Sequence, residues 1–343
     1  MTASRHPIAR LHLAHTPTPI VPLRCLAELA PGTLAADLPE VFVKRDDMTG
    51  GPEAGNKIRK LEYLLAEAEA RGADTLVTCG GIQSNHARAT AIVGAQRRQR
   101  AILLLRTTDP ELDPKNAPHS GNVLLDRLVG AEIRLISPAQ YRERTALMAD
   151  VAAEVARAGR VPYVIPEGGS NGLGSLGYVR AMEEVRRQLD VGLAGGRPFD
   201  LVVHACGSGG TAAGVALGAA AHSVASEVWP MAVCDDRAYF TATIERIVAE
   251  ARALDPSLPA PVPCLVDDSA KGPAYAVSTE EQKQLILEVA RRAGLLFDPV
   301  YTGKAFFGLV AAAKRGALKG KRVLFLHTGG LPGLLAQAHE FPR

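Results

Sequence analysis

Lys57 stands immediately after a Gly55-Asn56 turn and opens a strongly helical run inside Lys44 to Glu62 (KRDDMTGGPEAGNKIRKLE). An amine so placed can project into a cleft rather than along an exposed helix face. Alone, it reads as one more surface lysine; its company changes that. Leu201 to His204 runs into Ala205 to Gly214 (ACGSGGTAAG), where small residues let backbone amides converge on the positive end of the next helix and Ser208 and Thr211 add hydroxyls. That is the form of a phosphate cup. It is not Walker A, since no Gly-Lys-Ser/Thr follows, and a dinucleotide fingerprint stays open because Asp235 closes the next strand. A second junction, Thr78 to Ala87 (TCGGIQSNHA), offers amides and side chains of Ser84, Asn85 and His86 to a carboxylate, or Ser84 as a simple helix cap. A third, Val323 to Gly330 (VLFLHTGG), delivers Thr328 at the carboxyl end of a buried strand, where open α/β sheets bind ligands. A lysine after a glycine turn, a phosphate cup, a carboxylate loop and a strand-end hydroxyl together match the needs of pyridoxal phosphate and an amino acid.

The elements that must position these groups alternate along the chain. Val41 to Lys44, Thr75 to Cys79, Ile102 to Leu105, Ile133 to Ile136, Tyr163 to Ile165, Leu201 to His204, Val228 to Val233 and Val323 to Leu326 read as buried strands. Between them Lys57 to Arg71, Asn85 to Gln99, Tyr141 to Ala158, Leu176 to Leu189, Gly210 to Ala221, Tyr239 to Leu254 and Thr279 to Gly294 read as helices. Such alternation predicts an α/β fold, a mostly parallel sheet with helices on both faces. The turn cluster Pro166 to Gly174 (PEGGSNGLG) marks a boundary near the middle, and Pro256 to Pro263 a surface loop.

Composition sets the class. With 343 residues, 47% hydrophobic and 22% charged, the chain can bury a sizeable core in one large or two medium domains. Its 39 basic and 36 acidic residues are mixed throughout and net only +3, so no basic stripe offers itself to nucleic acid. The first fifteen residues carry Arg5, His6, Arg10 and His15 without a long apolar run, and no later run approaches a membrane span, so a cytoplasmic protein with no membrane partner is expected. Five cysteines (Cys25, Cys79, Cys206, Cys234, Cys264) have neither CxxC nor other metal-type spacing, which predicts reduced packing residues and no metal.

From about Thr16 to about Leu334 the chain resembles the D-cysteine desulfhydrase and 1-aminocyclopropane-1-carboxylate deaminase group of fold-type II (tryptophan-synthase-β-like) pyridoxal-phosphate enzymes. The resemblance rests on KRDD (Lys44 to Asp47), GNKIRKLE (Gly55 to Glu62), QSNHAR (Gln83 to Arg88), GNVLLD (Gly121 to Asp126), GGSNGLGSLGYV (Gly168 to Val179), GSGGT (Gly207 to Thr211), DPVYTGK (Asp298 to Lys304) and HTGG (His327 to Gly330), in order. It implies two open, mostly parallel sheets with flanking helices and the cofactor in the cleft between a large domain (1–48 and 166–343) and a small one (49–165), as a rule in a homodimer. By that resemblance Lys57 carries the cofactor as a Schiff base, and Asn85 faces its phenolic oxygen. The loop of Gly207, Ser208, Gly209, Gly210 and Thr211 holds the phosphate, Thr328 meets the ring nitrogen, and Asn56 and Cys206 complete the cofactor set. Ser84, with the amides of Asn85 and His86, grips the substrate carboxylate, while Tyr275 and Tyr301 face the amino-acid carbons.

The departures lie on the substrate side. Ala274-Tyr275-Ala276-Val277-Ser278 replaces the family's Gly-Tyr-Gly-Val-Pro, Pro52-Glu53-Ala54-Gly55 lacks a double glycine before Asn56, Cys234-Asp235-Asp236 follows a central strand, and Leu331-Pro332-Gly333 follows HTGG. Alanines for glycines narrow the allowed backbone, so this wall is expected to sit differently. A neutral hydroxyl at the ring nitrogen suits rapid expulsion of a β-substituent rather than transamination. The expected reaction is β-elimination on cysteine or a cysteine-like amino acid, with Lys57 or Tyr301 taking the Cα proton and pyruvate, ammonia and sulfide released. Cyclopropane ring opening is the alternative; members that perform it carry Glu after the tyrosine, where this chain has Thr302. A cysteate sulfo-lyase, or a biosynthetic enzyme with a larger substrate, are others.

Overall fold

The computed structural model describes residues 8–109, 111–113 and 119–342; Arg5 and His6, named above, lie outside the described residues. Nine strands are β1 (Ile20–Pro22), β2 (Glu40–Lys44), β3 (Thr75–Gly81), β4 (Arg100–Arg106), β5 (Glu132–Ile136), β6 (Pro162–Val164), β7 (Phe199–Cys206), β8 (Ala225–Ala232) and β9 (Arg322–Leu326) among the described residues. The α-helices there are α1 (Leu26–Leu29), α2 (Asn56–Ala70), α3 (Asn85–Gln96), α4 (Gly121–Leu128), α5 (Pro138–Arg142), α6 (Arg144–Arg157), α7 (Gly172–Asp190), α8 (Gly210–His222), α9 (Arg237–Leu254), α10 (Glu280–Ala293), α11 (Thr302–Lys314) and α12 (Leu331–Ala336).

The strands form two sheets, in the orders β1-β2-β9-β7-β8 and β5-β4-β3-β6, with every pairing parallel except β1 against β2. The fold is therefore α/β with two mostly parallel sheets and flanking helices, as the alternation predicts. β3 and β9 are buried along their whole length, which is why neither reads as a strict alternation of apolar and polar residues. The four-stranded sheet draws on residues 75–164, and the five-stranded sheet takes strands from both sides of that span.

Strand order decides where ligands can go. In the smaller sheet the chain moves from β3 outward to β4 and β5, then returns to place β6 on the other flank of β3. In the larger, β7 has β8 on one side and β9 on the other. The carboxyl ends of β3 and β7 are thus the switch points, where diverging connections leave a crevice. The sequences after them are the Ser84 to His86 loop and the glycine cup.

Local chemistry sets most helix limits. α10 has a reciprocal Thr279–Gln282 capping box, Glu280 and Glu281 in its first turn, Arg291 and Arg292 near its end, and left-handed Gly294 (φ 64°) as its stop. The expected helix Tyr141 to Ala158 is corrected to two, α5 and α6, broken at Glu143; a second start, Ser137-Pro138 with a capping box to Gln140, fixes the shorter piece. The edge strand β1 was not expected: it is three residues long, ends in proline and carries no alternation.

KRDD turns out to be scaffold. Asp46 and Lys44 are almost fully buried. Asp46 accepts from Arg59 Nε (2.9 Å) and Nη2 (2.8 Å), Thr18 (2.8 Å) and Tyr178 (2.7 Å). Glu184 on α7 takes Arg59 Nη1 (2.9 Å) and Lys44 Nζ (2.5 Å). Burial works to raise the Asp46 carboxyl, but Arg59, Lys44 and Tyr178 outweigh it and hold it at about 2. This network ties α2, whose first turn carries Lys57, to β2 and α7. At Gly177 of α7 the helices meet so closely that a Cβ would lie 2.2 Å from the Arg59 carbonyl oxygen.

Candidate active site

A cavity of about 480 Å³ opens between the carboxyl ends of the two sheets. Lys57 lines it from the first turn of α2. Gly55 makes that entry possible, with φ of +121° and room for no Cβ, which would sit 2.9 Å from Thr328 O. Asn56 N donates to the same carbonyl (3.1 Å), so the lysine loop is fastened to the end of β9. Desolvation lowers the Lys57 ammonium to about 8, although Glu167 and Cys206 pull weakly the other way. An appreciable share is therefore neutral amine, nucleophilic and basic, at physiological pH.

The cup after β7 has the form of an anion site. Gly209 caps α8 with φ of 79°, and the Thr211 and Ala212 amides of the first turn have no partner within the helix. Asn56 Nδ2 donates to Thr211 Oγ1 (3.1 Å), joining cup and lysine loop. Ser170 Oγ bridges Ser208 Oγ (2.8 Å) and accepts from Gly210 N (3.3 Å). Lys60 Nζ donates to that serine and to Gly168 O, both at 3.1 Å, and a Cβ on Gly210 would lie 2.9 Å from the ammonium. Burial, then the neighbouring Lys57, lowers the Lys60 ammonium well below its ordinary value. Lys60 was missed in the sequence; its signal was the three-residue spacing from Lys57, which puts both on one side of a helix. Cys206, at the end of β7, is pushed up to about 11 by burial and stays a thiol.

The loop after β3 has the same form. Ser84 caps α3 by accepting from Ala87 N (3.2 Å), so its hydroxyl hydrogen is left to donate, and the Asn85 and His86 amides are free of intrahelical bonds. Thr78 Oγ1 donates to Ile165 O (2.8 Å) and therefore takes the proton on His86 Nε2 (2.9 Å). His86 is neutral, its pKa driven well below the ordinary value by burial and then by Lys57 and Lys60.

Tyr275 and Tyr301 meet hydroxyl to hydroxyl at 2.7 Å on the cavity wall. Burial pushes Tyr275 up to about 12, and burial, with Tyr275 and Asp298 nearby, raises Tyr301 well above its ordinary value. With both phenols protonated at neutral pH neither is available as a base, and of the two expected proton acceptors Lys57 is the one that offers a neutral amine. Asp298 positions Tyr301, accepting from the amides of Val300 (2.9 Å), Tyr301 (2.8 Å) and Thr302 (2.9 Å). Thr302 is fully buried, its hydroxyl given to Asp298 (2.6 Å) and away from the cavity. The Tyr275 loop does sit unusually, with Ala276 in the left-handed region (φ 61°).

Three further wall residues carried no sequence signal: Arg106 at the end of β4, Tyr141 on α5, and Glu167. Tyr141 donates to Glu167 (2.5 Å), and Arg144 pairs with the same carboxylate (2.8 Å).

Pyridoxal phosphate suits these groups on the evidence of what they lack. Asn85 has a buried side-chain oxygen with no partner, in an amide whose oxygen and nitrogen are interchangeable, beside the lysine. The cup presents unpaired amides with Lys60 behind them, Lys57 supplies an amine, and Thr328 faces the cavity from the end of β9.

The family profile described as pyridoxal-phosphate dependent enzyme matches residues 11–329. A bifunctional D-cysteine desulfhydrase/1-aminocyclopropane-1-carboxylate deaminase, mitochondrial, of Arabidopsis thaliana is 41% identical over 94% of this chain and 78% of its own. A Thermotoga maritima protein provisionally named 1-aminocyclopropane-1-carboxylate deaminase is 41% identical over 96% of this chain and 99% of its own. Among solved structures, an ACC deaminase homologue superposes with a TM-score of 0.83 at 36% identity, over 97% of this chain and 95% of that one. A hydrogen sulfide-producing enzyme of Fusobacterium nucleatum shares the fold, with a TM-score of 0.60 at 17% identity over 92% and 95%.

Proposed function

The chain belongs to the pyridoxal-phosphate dependent enzyme family, beside relatives named for D-cysteine desulfhydrase and 1-aminocyclopropane-1-carboxylate deaminase, and on that premise we propose that it is a lyase performing β-elimination on cysteine or a cysteine-like amino acid. The products are pyruvate, ammonia and the departing group, sulfide in the case of cysteine. Bound pyridoxal phosphate draws electrons from the substrate's Cα, which loosens the Cα–H bond and the β-substituent.

The observation that carries the reading is the division of protonation between two walls: a Lys57 amine held at about 8 and a tyrosine pair held protonated. Lys57 Nζ accepts the Cα proton, and Tyr301, steadied by Tyr275, holds the proton that the leaving group takes. Ser84 and the first amides of α3 bind and orient the α-carboxylate, which fixes which Cα bond faces Lys57. Thr328 offers a neutral hydroxyl and no charge. Lys57, Asn56, Asn85, Cys206, the Gly207 to Thr211 cup and Thr328 would hold the cofactor, with Lys60 behind the phosphate.

Ring opening of aminocyclopropane carboxylate is the second reading, favoured by the names of the Thermotoga relative and the solved homologue. Against it, the residue after Tyr301 brings no acid to the cleft, since Thr302 is spent on Asp298. One screen separates them: purified, cofactor-loaded protein with D- and L-cysteine, chloroalanine, cysteate and aminocyclopropane carboxylate, reading keto acid. Pyruvate from a β-substituted alanine with no α-ketobutyrate from the cyclopropane is expected. α-Ketobutyrate formed faster than any pyruvate would replace this reading with the deaminase. A homodimer is part of the proposal, and light scattering at one protomer's mass would remove it.

A further inference from the structure

Arg106 ends β4 at the cavity wall, and none of the roles above uses it. Its guanidinium carbon lies 4.8 Å from the Tyr141 ring centre and 5.0 Å from that of Tyr275. Two aromatic faces hold the cation in place, yet among the described residues it has neither an ion pair nor a side-chain hydrogen bond. Among the described residues two carboxylates line the cavity. Glu167 is engaged by Arg144 and Tyr141, and Asp235 belongs to the other sheet, beyond β8, where it accepts from the Cys234 thiol (3.2 Å). A pre-oriented guanidinium fork without a partner is suited to a planar or trigonal oxyanion. The α-carboxylate already has its receiver in Ser84 and the first turn of α3.

We propose that Arg106 receives a second anionic group, borne on the substrate's side chain, so that the preferred substrates are β-substituted alanines carrying a sulfonate or a carboxylate. This rests on the elimination reading. The Cα proton passes to Lys57, the Cβ–X bonding pair leaves with X as sulfite or a carboxylated thiolate, and water then replaces nitrogen to give pyruvate and ammonia.

The test compares holoenzyme and its Arg106→Gln and Arg106→Lys variants on cysteate, S-carboxymethylcysteine and chloroalanine, the last having no second anion. Wild type should favour at least one anionic substrate, and which of the two tells sulfonate from carboxylate. In Arg106→Gln the ratio of kcat/KM for that substrate to kcat/KM for chloroalanine should fall about 10- to 100-fold, mainly through KM, as for a lost charge-assisted hydrogen bond. Arg106→Lys should recover part of it. An equal loss on all three substrates means that Arg106 reads the α-carboxylate or only packs between tyrosines, and overturns the proposal, as does a wild type without preference. If no keto acid forms from any of them, the elimination reading has failed. Titration of the holoenzyme's visible absorbance with cysteate against alanine then decides for Arg106: tighter cysteate binding, lost in Arg106→Gln, supports it, and equal affinities refute it.

Discussion

Replacing Gly177 by alanine should separate the placement of Lys57 from the stability of the protein. The added Cβ would lie 2.2 Å from Arg59 O, 2.5 Å from Arg59 C and 2.9 Å from Lys60 N, all backbone atoms of α2. None can rotate aside, and a tolerable contact requires the helices to part by about 1 Å. Gly177 has ordinary helical geometry, so alanine also gains about 1 kcal/mol of helix propensity. That gain offsets much of an overpacking cost of about 1–3 kcal/mol, leaving a net loss of roughly 0–2 kcal/mol and a Tm lower by a few degrees. Catalysis has no such offset. Arg59 is two residues past Lys57, and a displacement of about 1 Å at a reacting group costs on the order of 10²-fold. The assay is kcat/KM for keto-acid release beside a urea melt of the same preparation. Gly333→Ala is the control, a helical glycine with nothing within 4 Å of its would-be Cβ. A Gly177→Ala protein as active as wild type would refute the claim that this contact sets the position of Lys57.

Asp46→Asn should cost about 1.5–3 kcal/mol in urea denaturation at pH 7, because Arg59 loses one of its two carboxylate partners and keeps only Glu184. The Asp46 carboxyl, at about 2 when folded against an ordinary 3.8, contributes stability that is present above about pH 4 and lost as the pH falls toward 2. The wild type should therefore lose stability between pH 4 and 2 more steeply than Asp46→Asn, and parallel acid limbs would contradict the assignment. With the Lys57 ammonium lowered from 10.5 to about 8, the neutral amine grows as pH rises through 8. Covalent loading of apoprotein, trapped by borohydride, should accelerate with a midpoint near there, and a midpoint close to 10.5 would show that Lys57 is not desolvated.

What could be read from the sequence and what could not divide on a physical line. Lys57, Ser84, Asn85, the Gly207 to Thr211 cup and Thr328 each lie within a few residues of a strand's carboxyl end or a helix's first turn, so the geometry that gives them a role is local and leaves a short motif. Parallel strands buried on both faces leave continuous apolar runs, and the α/β alternation is equally visible. Side-chain direction is not local in that sense. Thr302 was weighed only for the acid it does not supply, and its hydroxyl is spent on Asp298, while KRDD, a motif adjoining the lysine loop, proves to be an ion network beneath α2.

The substrate wall is the extreme case. Arg106, Tyr141, Glu167 and Tyr275 come from four separate segments, and they meet because β4 lies beside β3 while the Tyr275 loop crosses from the other sheet. No spacing encodes that meeting. A change at any one of them alters the charge or shape offered to a substrate's side chain without touching the motifs that hold the cofactor. A chain of this family can thus keep every cofactor residue in recognisable order and still differ in what it consumes. Here the features that the cofactor motifs constrain least are a guanidinium between two tyrosines and an alanine strained at φ 61°.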